Sequence, residues 1–229
     1  MQSTIIGTPH LKFNDPSKFN VVCDGNSLTA GNGGGGNPYP SLLASMSPLN
    51  GKSTVTNTGV SGNTTQQMTA AARPDPYWVA GKTNILVVWE GTNSIAPAGG
   101  NVTPQQAATD MQNYISARLA LHPWLVVLVN CLPRQESSQS ASFTLNNKLN
   151  TYNTLLAANY KTWGAKVLVD VRQAGSPFAF TDYTDAAFTT AFNTGLWASS
   201  DTPHIHLSGY GYNKIAQMVA AGLKQLPIR

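Results

Sequence analysis

Residues 84–131 read NILVVWEGTNSIAPAGGNVTPQQAATDMQNYISARLALHPWLVVLVNC. The stretch begins with one short apolar run, NILVVW at 84–89, and ends with another, WLVVLVNC at 124–131. Near-continuous Val, Ile and Leu over so few residues is the composition of a strand buried on both faces. Between them, residues 104–121 predict a helix, with Thr103 as N-cap and Pro104 in the first turn. The same alternation extends outward in both directions. Towards the N-terminus lie a strand at 19–23 (FNVVC), a short helix at 39–46, a more exposed strand at 53–58 (STVTNT) and helical composition at 64–72. Towards the C-terminus lie a helix at 143–163 with Gly164 as its stop, a strand at 166–171 (KVLVDV), a long loop, and a final helix at 212–225. Strands alternating with helices predict a parallel sheet covered by helices on both faces. No internal repeat or linker interrupts the pattern, and the Gly-rich stretch 31–38 (GNGGGGNP) reads as a loop within it. The expectation is one α/β domain over residues 1–229, a three-layer α/β/α sandwich with a five-stranded parallel sheet.

Only 10% of residues are charged, and the formal net charge is +4. The basic residues are scattered, without the clustering that a nucleic-acid partner demands. Cys23 and Cys131 each end an apolar run and read as reduced core thiols. No apolar stretch approaches the ~20 residues that span a bilayer. Residues 1–20 lack the charged and apolar regions of a secretory leader. The compartment stays open, and the low charge with abundant Asn and Thr suits a secreted or viral origin.

In sheets of this type chemistry collects at the carboxyl ends of the strands. After the first strand comes DGNSLTAG (24–31), whose Ser27 can present its hydroxyl and its own N–H at the sheet edge. After the second comes NTGVSGNTT (57–65), where Gly62 can offer a backbone N–H. After the third comes EGTNS (90–94), where the Asn93 amide can donate to a developing oxyanion. Near the C-terminus, DTPHIHLSGYGYNKIAQMV (201–219) supplies Asp201, His204 and His206. A serine hydroxyl needs a base, and an imidazole needs an acceptor to fix its tautomer. Each signal alone also fits an ordinary turn or loop. Their joint occurrence, in order, at successive strand ends carries the weight.

On these blocks the sequence resembles the GDSL/SGNH hydrolase family over nearly its whole length. Gly25-Asn26-Ser27-Leu28 matches the family's nucleophile block Gly-Asp-Ser-Leu, residues 57–65 its glycine block, and Gly91-Thr92-Asn93 its Gly-x-Asn-Asp block. Asn26 and Ser94 stand where the family has Asp. The resemblance implies a flavodoxin-like strand order 2-1-3-4-5. It also implies a Ser-His-Asp triad of Ser27, His206 and Asp201, and an oxyanion hole from the N–H groups of Ser27 and Gly62 and the Asn93 amide. His204 keeps the family's three-residue offset from Asp201. His206, followed by Leu207-Ser208 and the last helix, fits the family's His-to-helix pattern better. His10 and His122 fall outside every block and read as structural. No metal or organic cofactor is implied, and no metal-ligand spacing is present.

The implied reaction is hydrolysis of a carboxylic ester, of short acyl or acetyl type and on a small molecule or glycan, through an acyl-enzyme. The aromatic-rich residues 172–200 read equally as a binding wall or as a packed helix around DAAFTTAF. A different class is a non-catalytic carbohydrate-binding or structural module, as in a phage or surface assembly, on the same fold. Retention of Ser, Gly, Asn and His together argues against it. Oligomeric state is not legible in the sequence.

Overall fold

The computed structural model describes residues 15–201 and 203–227. Five strands, β1 (Phe19–Gly25), β2 (Thr54–Asn57), β3 (Thr83–Trp89), β4 (Leu125–Val129) and β5 (Val167–Val169), form one parallel sheet. Their order is β2-β1-β3-β4-β5, as the sequence predicts. The helices are α1 (Ser27–Ala30), α2 (Tyr39–Ser45), α3 (Thr65–Ala71), α4 (Thr92–Ile95), α5 (Pro104–Leu121), α6 (Gln139–Asn159), α7 (Asp185–Asn193) and α8 (Gly209–Leu223).

The period-two side-chain alternation of a strand divides each central strand between two cores. Val21, Cys23, Ile85, Val87, Val127 and Val129 face one way, against Leu43 of α2 and Ile215, Val219 and Leu223 of α8. Val22, Leu86, Val88, Val126 and Leu128 face the other, against Met68 of α3, Met111 and Ile115 of α5, and Leu149 of α6. Both faces being covered explains why these strands read as unbroken apolar runs. The edge strand β2 is the exception, half-exposed and rich in Thr. Cys23 and Cys131 are free and buried. Among the described residues no helix is long and apolar enough to cross a membrane.

Two helix starts differ from the sequence reading, and one open alternative is resolved. The helix expected at 143–163 runs Gln139–Asn159, because the Ser138 hydroxyl caps it a turn earlier by accepting from Ala141 N–H at 3.3 Å. The last helix begins at Gly209 rather than 212, because Ser208 Oγ accepts from Gly211 N–H at 3.1 Å. Residues 172–200 contain α7, capped by Thr184, and bury Phe178, Tyr183, Phe188 and Trp197 in the core. Phe188 packs edge-on to Phe180, with ring centroids 5.2 Å apart. The aromatics therefore pack inward and hold the segment that leads to Asp201.

Candidate active site

Strand β1 ends in Gly25, where a side chain cannot be added. A Cβ there would lie 2.4 Å from Trp89 O and 2.3 Å from Thr29 Oγ1. The chain then turns into α1. Asn26 caps this single turn by accepting Leu28 N–H at 2.8 Å on its side-chain oxygen, which is the use found for the residue that replaces the family's Asp. Ser27 is the first helical residue, so its N–H is a terminal donor with no intrahelical acceptor.

His206 reaches this hydroxyl from the far end of the chain. Its Nε2 lies 3.0 Å from Ser27 Oγ, and its Nδ1 lies 3.0 Å from Asp201 Oδ1. The other oxygen, Asp201 Oδ2, accepts the N–H of Ile205 at 2.6 Å and that of His206. The carboxylate thus ties off the 201–206 loop while it faces the ring. Gly33, at φ 80°, passes close behind the imidazole, and a Cβ there would lie 3.0 Å from His206 Cβ.

His204 is held elsewhere. Its ring stacks on Phe192 of α7, centroids 4.6 Å apart and planes 6° from parallel. Its Nδ1 lies 2.8 Å from Asp201 O, and its backbone N–H donates to Gln135 Oε1 at 3.0 Å. His122 stacks on Trp78 beyond the end of α5, with centroids 4.9 Å apart. His10 lies outside the described residues.

Gly62 and Asn93 follow the carboxyl ends of β2 and β3. Gly62 occupies an exposed turn at φ 80°, and its N–H donates to none of the described residues. Asn93 lies on α4, its Nδ2 3.2 Å from Asn63 O and its Oδ1 3.5 Å from Arg134 Nη1. Arg134 Nε is in turn 2.8 Å from Glu136 Oε1. Sequence reasoning passed over Arg134 and Glu90. The signal available for Glu90 was a carboxylate placed directly after an apolar strand and one residue before Gly91. Burial pushes Glu90 up to about 8, against the hydrogen bonds it accepts from α4. Asp24, below Ser27 in β1, is also raised by burial, countered by hydrogen bonds from Tyr114 at 2.6 Å and Thr58 at 3.0 Å.

A small cavity of about 10 Å³ opens between the ends of β1, β3 and β4, room for about one water. Leu28, Trp89, Leu132 and Ile205 wall it, with Glu90 and Arg134 at its polar side. A larger apolar groove of about 390 Å³, lined by Phe180, Leu196 and Tyr210, touches none of the residues named above for the site.

A family model, the GDSL-like Lipase/Acylhydrolase family, matches residues 23–214. Among solved structures, a G-D-S-L family lipolytic protein from Veillonella parvula aligns at TM-score 0.65 and 16% identity, over 91% of this chain and 100% of its own. A lipase/acylhydrolase from Enterococcus faecalis aligns at 0.62 and 16%, over 92% and 98%. An acetyl-xylooligosaccharide esterase from Geobacillus aligns at 0.59 and 15%, over 92% and 97%. At these identities the likeness is one of fold. No curated protein matches the sequence.

Proposed function

Because the chain belongs to the GDSL-like lipase/acylhydrolase family, we propose that it is a serine esterase in which Ser27, His206 and Asp201 hydrolyse carboxylic esters through an acyl-enzyme. The observation that carries this reading is the hydrogen-bonded chain from Ser27 Oγ through both His206 nitrogens to Asp201, 3.0 Å at each link. Ser27 Oγ attacks the ester carbonyl carbon, and its proton passes to His206 Nε2. Asp201 holds the tautomer with Nδ1 protonated and stabilises the imidazolium. The carbonyl oxygen becomes an oxyanion, received by the N–H groups of Ser27 and Gly62 and the Asn93 amide. The C–O bond to the alcohol then breaks, and the alkoxide takes the proton from His206. Water repeats the sequence on the acyl-enzyme, with His206 again as base, and frees the acid.

The substrate class is short acyl esters, acetyl above all, with carbohydrate acetates included. The fold shared with an acetyl-xylooligosaccharide esterase supports this. A purely binding module is not favoured, since binding alone requires neither a serine on an imidazole nor an imidazole on a carboxylate. The test is p-nitrophenyl acetate hydrolysis by wild type and Ser27→Ala, with fluorophosphonate labelling. Turnover is expected to fall by up to about 10⁶ in the variant. Label on another serine would overturn the assignment.

A further inference from the structure

Glu90 is the first residue past β3 and is sealed from solvent. Its Oε1 accepts the Ser94 N–H at 3.1 Å, with Ser94 Oγ 3.5 Å away. Ser94 Oγ in turn accepts the Thr65 N–H at 3.1 Å and lies 3.2 Å from Thr65 Oγ1. Thr65 opens α3, directly after the turn that carries Gly62 and Asn63. The Asn93 amide closes the circuit through Asn63 O, 3.2 Å from its Nδ2. Two loops from different strand ends are thus pinned to one buried carboxyl.

Resting on the esterase reading above, we propose that Glu90 is a positioning residue: through Ser94 and Thr65 its carboxyl fixes the spacing between the Asn93 amide and the Gly62 N–H. Oxyanion donors work only when held about 2.7–3.1 Å from where the charge develops. A helix of one turn cannot hold itself in place, so α4 needs an external anchor. The serine at 94 belongs to the same device. Its hydroxyl both accepts from Thr65 and approaches Glu90, whereas a carboxylate at that position, sealed from solvent, would add a buried charge.

The clamp works with a neutral acid. Glu90 Oε2 has no partner among the described residues, and burial raises the group to about 8. The Cys131 thiol, 4.0 Å from Glu90 O, and the Tyr152 hydroxyl, 3.2 Å from it, are both raised well above their ordinary values by burial. Asp110 on α5 acts on Tyr152. Arg134, across the small cavity, is paired with Glu136. Ionised Glu90 would be a buried, half-satisfied charge, relieved by entering water or a shift of α4.

The test uses the full chain with p-nitrophenyl acetate across pH 6–10, each variant checked for folding by near-UV circular dichroism. Ser94→Ala should lower kcat by ~10–100-fold with KM within about twofold, the signature of misplaced transition-state donors. Ser94→Thr, which keeps the hydroxyl, should recover most of that loss. Wild-type kcat should fall above pH ~8. Glu90→Gln keeps an acceptor but cannot ionise, so it should lose less kcat than Ser94→Ala and lack the alkaline fall. A folded Ser94→Ala with wild-type kcat, or a Glu90→Gln that keeps the wild-type alkaline fall, overturns the proposal while leaving the esterase reading intact. A wild type inert towards esters, with no label on Ser27, overturns the esterase reading and the purpose of the clamp with it.

Discussion

Replacing His206 and His204 singly by alanine separates two imidazoles that lie two residues apart. The His206 ring has both nitrogens engaged between Ser27 and Asp201, each contact 3.0 Å. Its loss should remove the proposed base and cut kcat on p-nitrophenyl acetate by up to about 10⁶, or ~8 kcal/mol of transition-state stabilisation. The His204 ring instead stacks on Phe192 and bonds the Asp201 carbonyl. A stacked ring pair contributes ~0.5–1.5 kcal/mol and a hydrogen bond about the same. His204→Ala should therefore cost ~1–3 kcal/mol of stability, a fall of ~2–12 °C in Tm for a chain of this size. Its turnover should stay within about tenfold of wild type, since only the anchoring of the Asp201 loop is weakened. Initial rates and thermal melts of both variants, in one buffer at neutral pH, make the comparison. An inactive, folded His204→Ala beside an active His206→Ala would refute the geometry and make the shorter Asp201-to-His204 spacing the working pair.

Asn93→Ala should lower kcat by ~10²–10³ with a smaller effect on KM, because in the proposed mechanism the amide bonds an oxyanion absent from the ground state; a change in KM alone would assign it to ground-state binding. Stability should fall as pH rises from about 4.5, the ordinary value of Glu90, to about 8, its value in the fold, because the unfolded chain sheds that proton first. The slope from one such group is ~1.4 kcal/mol per pH unit, and Asp24, also raised, adds in the same direction. Melts of Glu90→Gln between pH 5 and 9 should show a shallower slope, and an unchanged one would mean Glu90 is already ionised. Arg118, buried beside Asp75 at 3.1 Å, should cost ~3–5 kcal/mol when replaced by alanine, measured by urea unfolding. A loss under ~1 kcal/mol would mean that Asp75 finds water in its place.

The sheet was readable because β1, β3 and β4 are buried on both faces and leave unbroken apolar runs. The helix starts were harder to read. Ser138 and Ser208 set them through hydroxyl caps, which a search for apolar periodicity overlooks. The helix α7 was ambiguous because its phenylalanines suit a core as well as a cleft, and only packing against Trp197 decides between them. Around the site, residues at strand ends could be named from local sequence. Contacts between loops could not. Ser94 reads as a mere departure from a family block until Thr65, 29 positions away, is seen to lie against its hydroxyl. The grip of Asp201 on two backbone N–H groups explains how a carboxylate five positions from His206 still meets its ring.

The hydrogen bond between Ser27 and His206 joins positions 179 residues apart, the first strand to the last loop. During synthesis Ser27 emerges early, and its partner lies just ahead of α8, which packs Ile215, Val219 and Leu223 onto the sheet. Closure over such a span is an entropic cost met late in folding, after the local strand–helix units have formed. The pair is therefore a reporter of completion. A chain stalled or clipped before α8 retains Ser27 but has no means of holding His206 beside it. Serine-directed labelling of a growing or truncated chain would time the final docking step directly.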